Sequence, residues 1–513
     1  MNLSRRIRIV LWIIVGVLTG LVAGIAIVVI RFQPLARGYV ISALERRYES
    51  KVELGSFQIS LFPMVKATGE NLVFRWGGRT DLPPMIAIRR FTVEARFVGF
   101  FRYPKHIRKL KLEGLQVHIP PKSERSHGVS SGRASDAPFL LEEVDADGTK
   151  LETLPSNPGK QSLMFDIHQL HLHSVGRYRP MTFQATLENP KPPGLIHTTG
   201  QFGPWNQDAP GGTPVSGQYT FSDADLAVFK GIMGILSSTG SYHGEMDRIE
   251  VQGTTDVPNF ALTTGNHPMH LHTEFAATVD GTNGNTDLHP VRATLGQSTF
   301  EVTGSIERSA LETHKEIDLQ ATAKSTGLAD FLRLTVKAQN PPMTGRVAFQ
   351  TKVKIPPGDN PVVERMQLDG AFNLNGVKFT SPEVQQKIAS LSHHAQGEPK
   401  DTDASDVAAD FEGYFHLRNG TLRLPQLRFE VPGAHVSLDG QYALPSGNID
   451  FRGTAKLDAT VSQMATGWKH VLLKPLDPLF KRDGAGAVLP IRITGKRGSP
   501  SFKLDIGRVL SRD

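Results

Sequence analysis

The chain has 513 residues, with 57 Lys and Arg against 50 Asp and Glu, 39% hydrophobic residues, 49 Gly, 34 Pro and no Cys. Without Cys there is no disulfide framework, no thiolate metal site and no cysteine nucleophile. The net charge of +7 is spread along the chain rather than gathered in one basic block. That gives nucleic-acid binding no support, and the Gly and Pro content suits strands and turns better than helical bundles.

Residues 1–8 carry Arg5, Arg6 and Arg8 and read as a short cytoplasmic N-terminus. Ile9–Ile30 follows, 22 residues without a charge. At about 1.5 Å per residue a helix of that length reaches roughly 33 Å, enough to cross a bilayer core of about 30 Å. Ile9, Trp12 and Ile30 are the expected anchor residues. A cleaved signal peptide is the rival reading, with Gly24-Ile25-Ala26 as the small-residue site. The apolar run continues past it through Ile27–Ile30 and exceeds the usual signal core. Lys and Arg flank both ends, so orientation rests on the long β-rich remainder, which reads as an exported body.

Leu35, Tyr39, Val40, Ala43, Leu44 and Tyr48 recur at three- and four-residue steps and predict an amphipathic helix. It either closes one end of a β-body or lies on headgroups. Period-2 strands follow through 121. The most regular is Phe91, Val93, Ala95 and Phe97 on one face, with Thr92, Glu94 and Arg96 on the other. Gly114 reads as a break between two strands. Residues 122–162 are polar, small and turn-rich and predict a flexible linker. From 163 to 513 strands return, punctuated by Asn-Gly and Pro-Gly turns. LRFEVPGAHVSLDGQYALPSGNIDFRGTAKLDA predicts a meander, in which Leu427, Phe429 and Val431 share a face. Helical patterns occur in DLAVFKGIMGILSS, GLADFLRLTVK, SPEVQQKIASLSHH and SQMATGWKHVLLKPL. FSDADLAVF and STGLADFL hint at a loose repeat of strand plus short helix.

Sites of chemistry are hard to find. Gly128-Val129-Ser130-Ser131-Gly132 matches a nucleophile elbow but sits in the linker, without the strand and helix that the elbow needs. His171 with His173, and His270 with His272, fall on one strand face each and could hold zinc given a third ligand. Their alternation with Leu and Met reads more simply as a sheet's polar face. Asp280–Asp287 is oxygen-rich but lacks the spacing of a calcium loop and reads as a hairpin. Gly495-Lys496 lacks the rest of a phosphate loop. We therefore expect no catalytic residues, no metal, no cofactor and no enzyme.

Several stretches resemble the AsmA-like family of bacterial envelope proteins. At the N-terminal side these are one span, a short helix, then KVELGSFQISLFPMVKATGENLVF, MIAIRRFTVEARFVGFF and IRKLKLEGLQVHI. At the C-terminal side they are LRFEVPGAHVSLDGQY and PLDPLFKRDGAGAVLPIRITGKRGSPSFKLDI. Together they cover about half of the chain. The resemblance implies a mainly β fold: one transmembrane helix, then a long curled antiparallel sheet forming a groove, with a few short helices. It implies a single-pass protein of the inner membrane with its body in the periplasm, related to bridge-like lipid transfer proteins. Phospholipid is the implied ligand, held by a groove lined in part by Phe91, Val93, Ala95, Phe97, Leu427, Phe429 and Val431, and outer-membrane homeostasis the implied role. Envelope protein partners are also compatible, and so is the alternative of an anchored scaffold or assembly factor that binds no lipid. Two stacked sheets would show the same alternation as a groove, so periodicity leaves that choice open.

Overall fold

The computed structural model describes residues between 37 and 504, with breaks at 43, 46–50, 61–63, 76–82, 97–104, 120–138, 154–162, 176–178, 205, 207–209, 230, 282, 309–314, 359, 361, 399–406, 445, 465–473, 475–476, 478–485 and 497–498. The expected span Ile9–Ile30, with Trp12, lies outside the described residues, as does Phe97. No described helix is long and apolar enough to cross a membrane. The protein is mainly β and mostly antiparallel, with a few short helices. It divides into two compact units, 1–222 with 242–246, and 223–241 with 247–513.

In the first unit, β1 (Lys51–Glu53) and β2 (Phe57–Ser60) both pair with β3 (Val65–Arg75), which pairs with β4 (Ile86–Ala95), which pairs with β5 (Lys105–Ile119). β5 runs unbroken through Gly114, which takes a φ of +65°, so the expected break is a change of backbone hand within one strand. The linker expectation is corrected for its second half. Residues 139–153 form β6 (Phe139–Asp147) and β7 (Thr149–Thr153), both parallel to β5. These are the described exceptions to antiparallel pairing. β6 and β7 then pair with β8 (Leu163–Val175), and β9 (Met181–Pro190), β10 (Pro193–Phe202) and the start of β11 (Pro214–Asp225) follow in chain order.

The core of this unit gathers Val52, Leu54, Leu72, Phe74, Ile88 and Phe91. Val40, Ile41 and Leu44, from the helical residues 37–42 and 44–45, pack against it. Glu45 Oε1 accepts from the Val52 N–H at 3.2 Å, and Arg37 donates to the Leu54 carbonyl. This short helix is a packing element on the sheet; Tyr39 alone of its larger apolar side chains is exposed.

In the second unit, the expected helix DLAVFKGIMGILSS is overturned. Only Leu226–Val228 turns, as one 3-10 turn, before β12 (Ile232–Met233) and β13 (Ile235–Glu245). Gly231 and Gly234 take φ of +108° and +139°, a conformation no right-handed helix contains. From β14 (Arg248–Leu262) every strand pairs antiparallel with the next: β15 (Met269–Val279), β16 (Thr286–Leu295), β17 (Ser298–Arg308), β18 (Lys315–Gly327), β19 (Met343–Ile355), β20 (Gln367–Phe379), β21 (Ala409–Arg418), β22 (Thr421–Val431), β23 (Ala434–Ala443), β24 (Asn448–Leu457), β25 (Ala487–Lys496) and β26 (Ser499–Leu504). The β22–β24 meander stands as the sequence predicts.

Two helices interrupt this ladder where the pattern predicts them. α1 (Leu328–Thr335) connects β18 to β19, and α2 (Pro382–Gln396) connects β20 to β21. α2 is capped at both ends: Ser381 accepts from the Val384 N–H, and Gly397 closes the C-terminus at φ +82°. Alternate connections lie at opposite ends of antiparallel strands. Both helices therefore sit at the same end of the sheet, and the hairpins Gly420 and Ser446-Gly447 sit at the other. The predicted helix in SQMATGWKHVLLKPL falls mostly outside the described residues.

Candidate functional site

The apolar face of the second unit is organised as rows that cross the strands. Nearest the hairpin end, Leu319, Val353, Leu368, Leu417, Leu422, Tyr442 and Ile449 are successive Cα partners across β18 to β24. Three rows further in, Val347, Leu374, Phe411, Phe429, Val436 and Ala455 do the same.

These rows differ in what covers them. The inner row belongs to two core clusters. One packs α1 onto Val347 and Val377; the other packs Ile388, Leu391 and Ala395 of α2 onto Phe429, Val431, Val436 and Leu457. No core cluster of the described residues contains a member of the outer row. Leu417 is buried, and the other six are only half-buried. Each cluster joins neighbouring strands and a helix, and none joins strands distant in the ladder. Among the described residues, the core clusters set α1 and α2 on this face at one end of its strands and bring no second sheet onto it; a further four-residue helix, Val362–Arg365, lies at the other end, in the β19–β20 connection.

A second pattern runs over the same face. Glycines stand directly opposite phenylalanines: Gly370 opposite Phe415, Gly413 opposite Phe372, Gly440 opposite Phe451. The ring lies over the missing side chain. A Cβ on Gly370 would come within 2.6 Å of Phe415 Cζ. Gly253 and Phe275 repeat the arrangement, and in the first unit so do Gly69 with Phe91 and Gly200 with Phe183. Glycine at such positions lets a sheet coil tightly while the aromatic ring shields the backbone. Sequence reasoning missed this device. Its signal was present in DGAFNL, EGYFHL and DGQYAL, where Gly and an aromatic recur at fixed offsets within period-2 strands.

The residues expected to line a groove are placed as follows. Phe91 and Ala95 are buried, at 8% and 1% exposure, and Val93 packs against the cluster beneath the 37–45 helix. Phe429 and Val431 are buried beneath α2, at 8% and 5%. Leu427 is half-buried, between the covered row and the open one.

In each unit the polar side of the strands is tied by imidazole–carboxylate pairs. His171 Nδ1 lies 2.8 Å from Asp145 Oδ1. His270 Nε2 and His272 Nδ1 both meet Asp256 Oδ1, at 2.6 and 3.2 Å. Asp369 takes His416 at 2.7 Å and Arg418 on its other oxygen. The pair His270 and His272 thus shares one face, as the alternation predicts, with each ring engaged by an acid on the next strand.

These contacts shift the acids. The His270 hydrogen bond holds Asp256 below the usual carboxylate value, and the Arg418 hydrogen bond does the same for Asp369. Burial pushes Asp145 up, but hydrogen bonds from Lys109 and His171 outweigh it and leave it lowered. A lowered folded pKa stabilises above the unfolded value and is lost as pH falls through the folded one. Thermal stability should therefore fall as pH drops below about 4, the ordinary Asp value, and keep falling through the lower folded values. The drop should be shallower when Asp145, Asp256 and Asp369 are all changed to Asn. Thermal melts followed by circular dichroism check this, and equal slopes in both proteins would refute it.

No family model matches this chain, and no curated protein matches it in sequence. Fold and face together define a mainly β protein with an apolar sheet surface on which, among the described residues, α1 and α2 pack at one end of the strands.

Proposed function

We propose that this is a membrane-anchored envelope protein of the AsmA type that holds the acyl chains of phospholipid along the apolar face of its sheet. The observation that carries the reading is the row from Leu319 to Ile449, which belongs to no core cluster of the described residues and of which six members are only half-buried. Its seven strands, about 4.8 Å apart, extend roughly 29 Å, close to the hydrocarbon thickness of a bilayer. Each CH₂ moved from water to such a surface contributes about 0.8 kcal/mol. The lack of strand-to-strand stacking within each described cluster supports an accessible face over a dry sandwich. In this reading Ile9–Ile30 anchors the chain in the inner membrane, the body lies in the periplasm, and outer-membrane homeostasis is the role. Binding and handing on lipid needs no covalent step.

Mass spectrometry of lipid extracted from the purified full chain tests the proposal. Phospholipid near one or more molecules per chain is expected. A chain that carries no phospholipid and takes up no apolar fluorescent probe would reject it, and a stable protein partner in its place would favour the scaffold.

A further inference from the structure

We infer that the cavity beside α1 is an oxyanion site that receives a phosphate group. As a headgroup site this rests on the lipid reading above; as an anion site it stands alone. The cavity has a volume of about 950 Å³ and lies where the β16–β17 turn, the end of β18 and the first turns of α1 converge.

Two arginines line it. Arg346 is fixed from within: its Nε donates to Ser325 Oγ at 2.7 Å and its Nη2 to the Ser325 carbonyl at 3.1 Å. That leaves Nη1 without a hydrogen bond among the described residues. Arg333, on α1, makes no hydrogen bond or ion pair among the described residues. A guanidinium already oriented by a neighbour loses little freedom on binding an oxyanion, and paired guanidinium forks suit phosphate oxygens.

The one carboxylate in the lining is Asp330, held by neutral donors. Its Oδ2 accepts from Ser298 Oγ at 2.7 Å and from the Gln297 N–H at 3.1 Å. His270 is committed through Nε2 to Asp256. Two arginines against one carboxylate leave the lining with a positive balance. Thr299 and Ser325 add hydroxyls. Gly327 precedes α1 and supplies no side-chain cap, so the first-turn amides add donors at the same place.

The cavity also adjoins the apolar face. α1 lays Leu328, Phe331 and Leu332 on Val347 and Phe349 of the sheet, while Arg333 of the same helix lines the cavity. The open row lies toward the other end of the strands, so an amphiphile that places its headgroup here must direct its tails along the strands, past α1, to reach it. Free phosphate offers the same chemistry without tails.

The test titrates the full chain with dihexanoyl phosphatidic acid, with inorganic phosphate and with an uncharged apolar fluorophore. Binding of the short-chain lipid should weaken at least tenfold in Arg333→Glu, with fluorophore uptake unchanged. Arg346→Ala should act in the same direction, with melting curves to report any loss of fold. Unaltered phosphatidic acid binding in Arg333→Glu, or no binding of either phosphate compound to the wild type, overturns the site. If the wild type takes inorganic phosphate as tightly as the lipid, and Arg333→Glu abolishes both, the site stands with soluble phosphate as its ligand. If the fluorophore fails to bind while phosphate binds and responds to Arg333→Glu, the lipid reading falls and the anion site stands.

Discussion

Gly453→Val is expected to unfold the C-terminal part of the ladder. Gly453 stands opposite Leu438 on one side and Ile491 on the other. A Cβ there would overlap the Ser437 carbonyl oxygen and approach Leu438 Cα at 2.9 Å. Both obstacles are backbone, so no rotamer change relieves them. The β23–β24 pairing must separate or shift register, and a one-residue slip would turn Val436 and Leu438 to the polar face. Overpacking commonly costs about 1–3 kcal/mol, and a main-chain clash in mid-sheet belongs at or beyond the top of that range. Domains hold only about 5–15 kcal/mol. We expect loss of the cooperative transition of this region, or a melting point lower by ten degrees or more. Gly447→Val is the control: no atom lies within 4 Å of its Cβ position, though its φ of +72° costs some strain. Equal melting curves for the two variants would refute the argument.

The glycines explain much of what the sequence concealed. Period-2 alternation was enough to place β1, β2, β4 and the β22–β24 meander, because each strand buries one face locally, whereas β3 went unread and β5 read as two strands broken at Gly114. The same alternation hid the cause of the Gly-aromatic pairing, which lies between strands up to 45 residues apart, as with Gly370 and Phe415. DLAVFKGIMGILSS misled for a related reason. Leu226, Phe229 and Met233 have helical spacing, but Gly231 and Gly234, three residues apart, need positive φ. The acidic run in FLLEEVDADGTKLET read as linker because its partners are remote. Asp145 and Glu143 meet Lys109 on β5, and Asp145 also meets His171 on β8. Paired in this way, Asp145 is 9% exposed, and Val144 and Ala146 beside it are also buried. The covering helices were legible as amphipathic patterns. What they covered was not, since Phe429 and Leu422 read alike on β22 although only Phe429 lies in the cluster beneath α2.

That contrast makes the sharpest test of function. Val353 and Val436 are the same residue type on the same apolar face. Val436 is 6% exposed, packed among Phe429, Ala455 and α2. Val353 is half-buried between Leu319 and Leu368 and belongs to no core cluster. Val436→Glu places a carboxylate where nothing pairs with it. The group must either take up a proton or cost several kcal/mol, so the fold should be lost or severely weakened. Val353→Glu places the same carboxylate beside solvent, where it stays hydrated. The fold should survive with a melting point within a few degrees of wild type. The row that would carry acyl chains is then interrupted by a charge, so bound phospholipid and apolar-probe uptake should fall several-fold. Melting curves and lipid content of the two variants, measured together, separate the possibilities. If Val353→Glu collapses as Val436→Glu does, the row is ordinary core and the lipid surface is rejected. If Val353→Glu folds and keeps its full lipid content, any lipid lies elsewhere and the row from Leu319 to Ile449 does not hold it.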